Sequence, residues 1–460
     1  MTSETSLNPN IKWFVLVSIG VGTFMTALDI SIINTILPIV TKAFQAPVNQ
    51  TEWISLIYLL LVSGLLPSFG RLGDLKGHKN IYLIGFSLFI LGSLLCALSP
   101  AIYFLILSRS LQAIGAAMLS SNSPAILTKN FPSTQRGQAL GLQATMTYLG
   151  LTVGPILGGW LTELYGWRSV FTINIPVGII AFLLSLYLIP NEKPHPEEIR
   201  FDYQGAVFFL GGFTSLLLGL SMASEWGWLS VPTIITLALA IILLGIFIWT
   251  EKSSQSPMLD LHLFSQPRIS HSILAAVLNY MCVYSNLFLM PFYLLQGRGL
   301  VPSKAGLIIS IQPLIMSIIA PVSGSLSDKI GTKLPAFLGM LGLAVGTILL
   351  STINDTTSIW LILTYLAISG LGIGCFLPPN SSAIMGSAPL NQTGIAAGLL
   401  ATARNVGMVL GIGISGAVFT TTLTKHHSAI SGIFSAVQAG FLTAFVISIL
   451  GVLVTGFGKS

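Results

Sequence analysis

Apolar residues run along this chain in long unbroken stretches rather than in alternation. A helix that crosses a bilayer needs about 20 mostly apolar residues, and fourteen stretches meet that need. They lie near 13–36, 52–70, 80–98, 101–121, 138–160, 168–189, 203–221, 231–249, 269–294, 304–325, 334–351, 358–378, 393–418 and 437–456. None shows the alternation of a barrel strand, so helices are predicted throughout. The first stretch follows a polar start with one Lys, and no small-residue cleavage site closes it. It is expected to be a retained span rather than a signal peptide.

Composition agrees with an all-α membrane protein. Of 460 residues, 53% are hydrophobic and 7% charged, where a soluble chain carries about 25% charged residues. The net charge of +6 includes no dense basic stretch, so no nucleic-acid partner is expected. Cys96, Cys282 and Cys375 sit in apolar runs without pairing or metal-ligand spacing. No metal and no cofactor are expected. With the N-terminus placed in the cytoplasm, thirteen Lys and Arg fall in cytoplasmic segments and five in outer ones. The other two, Arg109 and Arg404, lie inside spans. That asymmetry predicts a multi-pass plasma-membrane protein with both termini cytoplasmic.

The chain repeats itself. Gly70-Arg71-Leu72-Gly73-Asp74-Leu75-Lys76-Gly77-His78-Lys79 is echoed, at an offset of 254, by the segment from Gly324 to Lys333 that carries Asp328. Gly137, Gly141, Ala144, Thr145, Gly150 and Gly154 are echoed at 257 by Gly394, Gly398, Ala401, Thr402, Gly407 and Gly411. Two ordered sets at nearly one offset argue for duplication. The echo moves eight spans along, so a six-span half is followed by two added spans before the second half. The expected division is 1–189, a six-helix bundle; 190–268, a linker with two extra spans; and 269–460, a second six-helix bundle. Parallel halves of this kind suit a substrate site between them near the midplane and alternating access by rocking.

Asp29 stands inside span 1, with no other acid in the interior of a span. A carboxylate there costs roughly 3 kcal/mol on insertion scales unless it is paired, solvated or protonated. It reads either as a group that binds and releases a proton as its surroundings open, or as a structural acid tied to a polar neighbour. Arg109 in span 4 must face a carboxylate, carbonyls or water, and Gln112 lies on the same helix face. Tuning of Asp29 and a structural tie to carbonyls are both open for Arg109. Arg404 in span 13 has the same ambiguity.

In span 5, Gly150, Gly154 and Gly158, with Gly159 beside them, make a smooth face, and Pro155 favours a bend. A pliable helix fits a moving seam between the halves; static packing is the alternative. In the loop Gly70, Asp74, Gly77 and Lys79, tight turning explains the glycines and positive-inside topology the Lys. Asp74 and Asp328 are expected to cap a helix or to latch the halves across the cytoplasmic side. A large, mostly apolar cavity would draw on Met25, Asn34, Tyr58, Gln112, Gln143, Asn279, Tyr280, Tyr284, Asn286, Gln312, Asn380 and Arg404.

Taken together these motifs resemble the major facilitator superfamily, and within it the fourteen-span drug:proton antiporters of the QacA/EmrB type. Gly70–Lys79 looks like the superfamily signature between spans 2 and 3. The segment from Arg109 to Gly115 looks like the span 4 motif, with Ala113 where Gly is usual. Gly150–Gly159 looks like the span 5 antiporter motif, and Leu28–Pro38 like the subfamily's span 1 motif. The resemblance implies proton coupling through Asp29 and Arg109, gating at Asp74, and exchange direction set by the span 5 glycines. It further implies a bacterial inner-membrane monomer that trades protons for lipophilic or cationic drugs and other small amphiphiles. Relatives that export divalent cations carry further acids in later spans, which this chain lacks, so monovalent cations, zwitterions or neutral amphiphiles fit better. Export or flipping of an endogenous metabolite or lipid on the same fold is the rival expectation. An enzyme is disfavoured, because the six His lie outside span cores and no nucleophile has a base. No Gly-x-x-x-x-Gly-Lys-Ser/Thr loop is present for ATP.

Overall fold

The computed structural model describes residues 11–46, 48–191, 201–227, 229–253, 266–300, 302–388, 393–423 and 429–457. The expected linker from 192 to 200 lies outside them, as do the side chains of Asn34 and Pro155. Sixteen α-helices are found among the described residues. The first seven are α1 (Ile11–Phe44), α2 (Val48–Lys76), α3 (His78–Ala97), α4 (Ile102–Asn130), α5 (Arg136–Tyr165), α6 (Ser169–Thr172) and α7 (Asn174–Leu188). Next come α8 (Tyr203–Trp226) and α9 (Val231–Ser253). The last seven are α10 (Pro267–Pro291), α11 (Pro302–Ile309), α12 (Ile311–Ile330), α13 (Lys333–Leu350), α14 (Ile359–Ser387), α15 (Thr393–Leu423) and α16 (Ala429–Phe457).

Thirteen helical segments are long and apolar enough to cross a membrane, and bent α5 makes fourteen. Its two parts, Ser133–Gly154 and Ile156–Tyr165, meet at 43° around Pro155. A proline lacks the N–H that would continue the hydrogen-bond ladder, which accounts for the bend. Large apolar side chains such as Phe14, Ile84, Leu107, Ile241 and Trp249 face outward. Water would not tolerate so continuous an apolar exterior, but lipid does.

α1 packs on α5 and α7, and α3 on α4. Among the later helices α10 packs on α15 and α16, and α13 on α14. Helices α8 and α9 pair with one another, and α8 leans on α2 and α15. The two sets meet through α5 against α12 and α2 against α15.

The echoed glycines explain these contacts in detail. A Cβ on Gly141 would stand 2.6 Å from the Ala320 carbonyl oxygen and 3.0 Å from Pro321 Cα. Its echo Gly398 would meet Pro67 Cα at 2.9 Å and the Leu66 carbonyl oxygen at 3.1 Å. Pro67 and Pro321 are themselves 254 apart, so the two contacts are reciprocal. Gly150 lies as close to Phe24 and Leu28 of α1 as Gly407 lies to Val277 and Met281 of α10. At the α2–α3 and α12–α13 turns, Gly77 (φ +89°) and Gly331 (φ +87°) take the left-handed conformation that side chains resist.

Candidate functional site

Asp29 is completely buried and bonded by three donors from two other helices. Arg109 Nη1 donates to Asp29 Oδ2 at 2.6 Å. Gln112 Nε2 and Asn174 Nδ2 donate to Asp29 Oδ1 at 2.9 and 2.8 Å. Arg109 also donates from Nη1 to Gln112 Oε1 at 2.6 Å and from Nε to the Ile54 carbonyl at 3.2 Å. Gln112 Nε2 continues to Ser93 Oγ at 2.9 Å. The guanidinium lies 4.2 Å from the centre of the Tyr58 ring, within cation–π range. All three partners of Asp29 are donors, so the geometry is that of the carboxylate anion. Arg109 thus pairs with the acid and also ties to a backbone carbonyl.

Close helix packing brings these groups together. A Cβ on Gly92 of α3 would stand 2.6 Å from the Gln112 backbone nitrogen, and one on Gly115 2.6 Å from Gly85 O. The missing side chains let α4 seat against α3 so that Arg109 and Gln112 reach α1. Asn174, the first residue of α7, completes the set. It was not among the candidates read from the sequence; its signal is an amide within an otherwise apolar run.

Gly150, Gly154 and Gly158 press on α1 between Phe24 and Ile32, the stretch that contains Asp29. This differs from a seam between the halves: the glycine face stays among the first seven helices, and Gly137 and Gly141 make the approach to α12 instead. Gly159 faces open space. The reason is angular, because residues four apart share one helix face, whereas Gly141 lies on a different face, turned to α12.

Asp328 and Asp74 each reach across to a helix N-terminus. Asp328 accepts from the backbone N–H groups of Gly137 and Gln138, both at 2.9 Å. Asp74 Oδ2 accepts from Ile395 N at 3.2 Å. Ile395 is the echo of Gln138 at 257, so this pair of contacts is reciprocal too. Asp74 Oδ1 lies 3.3 Å from His78 Nε2, and His78 Nδ1 lies 2.7 Å from Asn122 Oδ1. Lys79 Nζ donates to Asn191 Oδ1 at 2.8 Å. Gly70 is buried just before this cluster, in the last two turns of α2.

The cavity candidates disperse. Met25 is fully buried in the core of the first helices. Gln143 Nε2 donates to Thr23 Oγ1 at 3.5 Å. Asn279 and Asn286 are buried among the later helices, the first against Met340 Sδ and the second donating to Ser369 Oγ at 3.0 Å. Gln312 is also buried. Asn380 donates to the Ser272 carbonyl and borders a cavity of about 260 Å3 that includes Arg268, His271 and Lys333. Tyr280, Tyr284 and Arg404 are half-buried.

The chain matches the Major Facilitator Superfamily over residues 19–202 and 203–412. It is 33% identical over 449 residues to the riboflavin transporter RibZ of Clostridioides difficile, covering 97% of each chain. It is 32% identical over 410 residues to the multidrug resistance protein Stp of Mycobacterium tuberculosis, covering 89% of this chain and 76% of that one. The crystal structure of the human organic anion transporter MFSD10 (TETRAN) shares its fold, with a TM-score of 0.69 at 16% identity, over 96% of this chain and 100% of that one. With the helical architecture, these likenesses identify the chain as a multi-pass membrane transporter belonging to the major facilitator superfamily.

Proposed function

We propose that this transporter exports small amphiphiles from a bacterial cell in exchange for protons, by alternating access between helix bundles 1–189 and 269–460, with both termini cytoplasmic. The observation that carries the reading is Asp29: a buried acid whose hydrogen-bond partners among the described residues are all donors. A proton on its carboxyl weakens the bonds from Arg109, Gln112 and Asn174, because a neutral acid is a poorer acceptor than an anion and brings an O–H that needs an acceptor of its own. Arg109 keeps two acceptors when that happens, Gln112 Oε1 and the Ile54 carbonyl, so its N–H groups stay hydrogen-bonded. Protonation therefore has a mechanical consequence for α1, α4 and α7. Gly150 and Gly154 seat α5 on the same part of α1, which gives that consequence a route into the bent helix.

Asp74 and Asp328 act in this scheme as paired latches. Each negative charge sits at the positive end of a helix in the opposite bundle, and opening that face breaks both contacts. The similarity to a protein named for multidrug resistance supports an amphiphilic cargo. The similarity to a protein named as a riboflavin transporter over nearly the whole chain favours, as a second reading, an endogenous metabolite as cargo. Asp29→Asn is the direct test. In inverted vesicles the variant should insert normally and lose transport driven by a pH gradient; undiminished gradient-driven transport would refute proton coupling through Asp29.

A further inference from the structure

The membrane interior of this protein carries an unbalanced positive charge. Its deeply placed ionisable groups are Asp29, Arg109 and Arg404. The first two neutralise one another at 2.6 Å and are both buried. Arg404 has no carboxylate partner among the described residues. It stands on α15, the helix that touches α2 and α4 on one side and α10 and α16 on the other. A guanidinium stays charged at any physiological pH, so carbonyls, water or an anion must face it.

Arg404 lies on the helix that meets tyrosine-bearing helices of both groups, α2 with Tyr58 and α10 with Tyr280 and Tyr284. One turn along α15 from Arg404, a Cβ on Gly407 would stand 2.6 Å from Tyr280 Cβ. Tyr280 and Tyr284 are one helical turn apart and share a face. Tyr58 is 3% exposed, and its hydroxyl has no hydrogen-bond partner among the described residues. An orphaned hydroxyl in so dry a place is a donor awaiting an acceptor. Tyr58 also presents its ring to Arg109.

We infer that Arg404 is the charge-selecting residue of the transport site and that the cargo is an organic anion: an aromatic or apolar body bearing a carboxylate or phosphate. The planar guanidinium takes such a group through two parallel N–H···O bonds, the Tyr58 hydroxyl supplies a further donor, and Tyr280 and Tyr284 offer ring faces. A cationic amphiphile meets like charge at the same point, and among the described residues no carboxylate pairs with Arg404 to offset it. This reverses the cationic part of the expectation drawn from family resemblance. It rests on the exporter reading above and narrows it.

The test uses full-length purified protein and two probes with one ring system, 1-naphthylacetate and (1-naphthylmethyl)trimethylammonium. Titration calorimetry should show the carboxylate binding at least about tenfold more tightly, the scale of one charge-assisted contact. Arg404→Gln should remove that preference, and Arg404→Lys should recover part of it. Tighter binding of the ammonium probe, no binding of the carboxylate, or a preference unchanged in Arg404→Gln overturns the inference. Uptake of the same probes into inverted vesicles, with and without a protonophore and in Asp29→Asn, separates the two claims. Protonophore-sensitive, Asp29-dependent uptake of the ammonium probe leaves proton coupling standing and removes only the anion selectivity. Carboxylate uptake indifferent to both removes only the coupling.

Discussion

Asp29 and Arg109 show how differently a charge behaves when its partner is part of the same buried cluster. Removing one member of a buried pair leaves the other uncompensated, at a cost of about 3–5 kcal/mol, whereas removing both can be nearly neutral. Arg109→Leu is therefore expected to lower the melting temperature in detergent sharply. The double variant Asp29→Asn, Arg109→Leu should recover much of that loss. Strictly additive losses would show that the pair is not coupled. Asp29 and Arg109 are legible from sequence because a bilayer makes any interior charge conspicuous. Asn174 is less conspicuous, since an uncharged amide costs less to bury and looks like ordinary packing. Its role depends on where α7 begins, 145 residues beyond Asp29.

Among the elements, α5 carries two separate glycine faces and a bend. One face admits α1, and the other admits α12. A methyl group at Gly150 would stand 2.7 Å from the Phe24 carbonyl oxygen, where nothing flexible can yield; at Gly159 it would meet nothing within 4 Å. Gly150→Ala should therefore reduce both thermal stability and transport, with Gly159→Ala close to wild type in a melting assay and in vesicle uptake. Equal effects at the two positions would mean that close contact with α1 is not what the glycine run provides. The spacing of four along the sequence announces a smooth helix face. It does not announce which neighbour that face meets, because any of several helices could lie against it. For that reason the expected seam between the bundles turns out to lie within the first group, and the actual approach between groups uses Gly137 and Gly141.

At the scale of the whole molecule, the duplication becomes an exchange of contacts: Asp74 to α15 and Asp328 to α5, Pro67 to Gly398 and Pro321 to Gly141. Charge at a helix terminus contributes about 0.3–1 kcal/mol. Asp328→Asn should therefore raise the population with this face open by roughly two- to fivefold. Spin labels at exposed Ser133 and Lys329 would report it as a longer-distance component, and an unaltered distance distribution would count against the latch. The duplication is not complete in chemistry. The matching contacts of Gly150 with α1 and Gly407 with α10 align α10 on α1 at an offset of 253, which sets Cys282 where the first copy has Asp29. The sequence by itself determined the helical membrane architecture, the internal repeat, the lone acid and the two interior arginines. Each follows from a demand that the bilayer or a repeated fold makes on one stretch of chain at a time. Only the tertiary structure decided that Arg109 pairs with Asp29 while Arg404 has no carboxylate partner among the described residues, and that Asp74 and Asp328 reach across to other helices. Such pairings join residues between 80 and 321 positions apart, and their geometry exists only once the helices are packed.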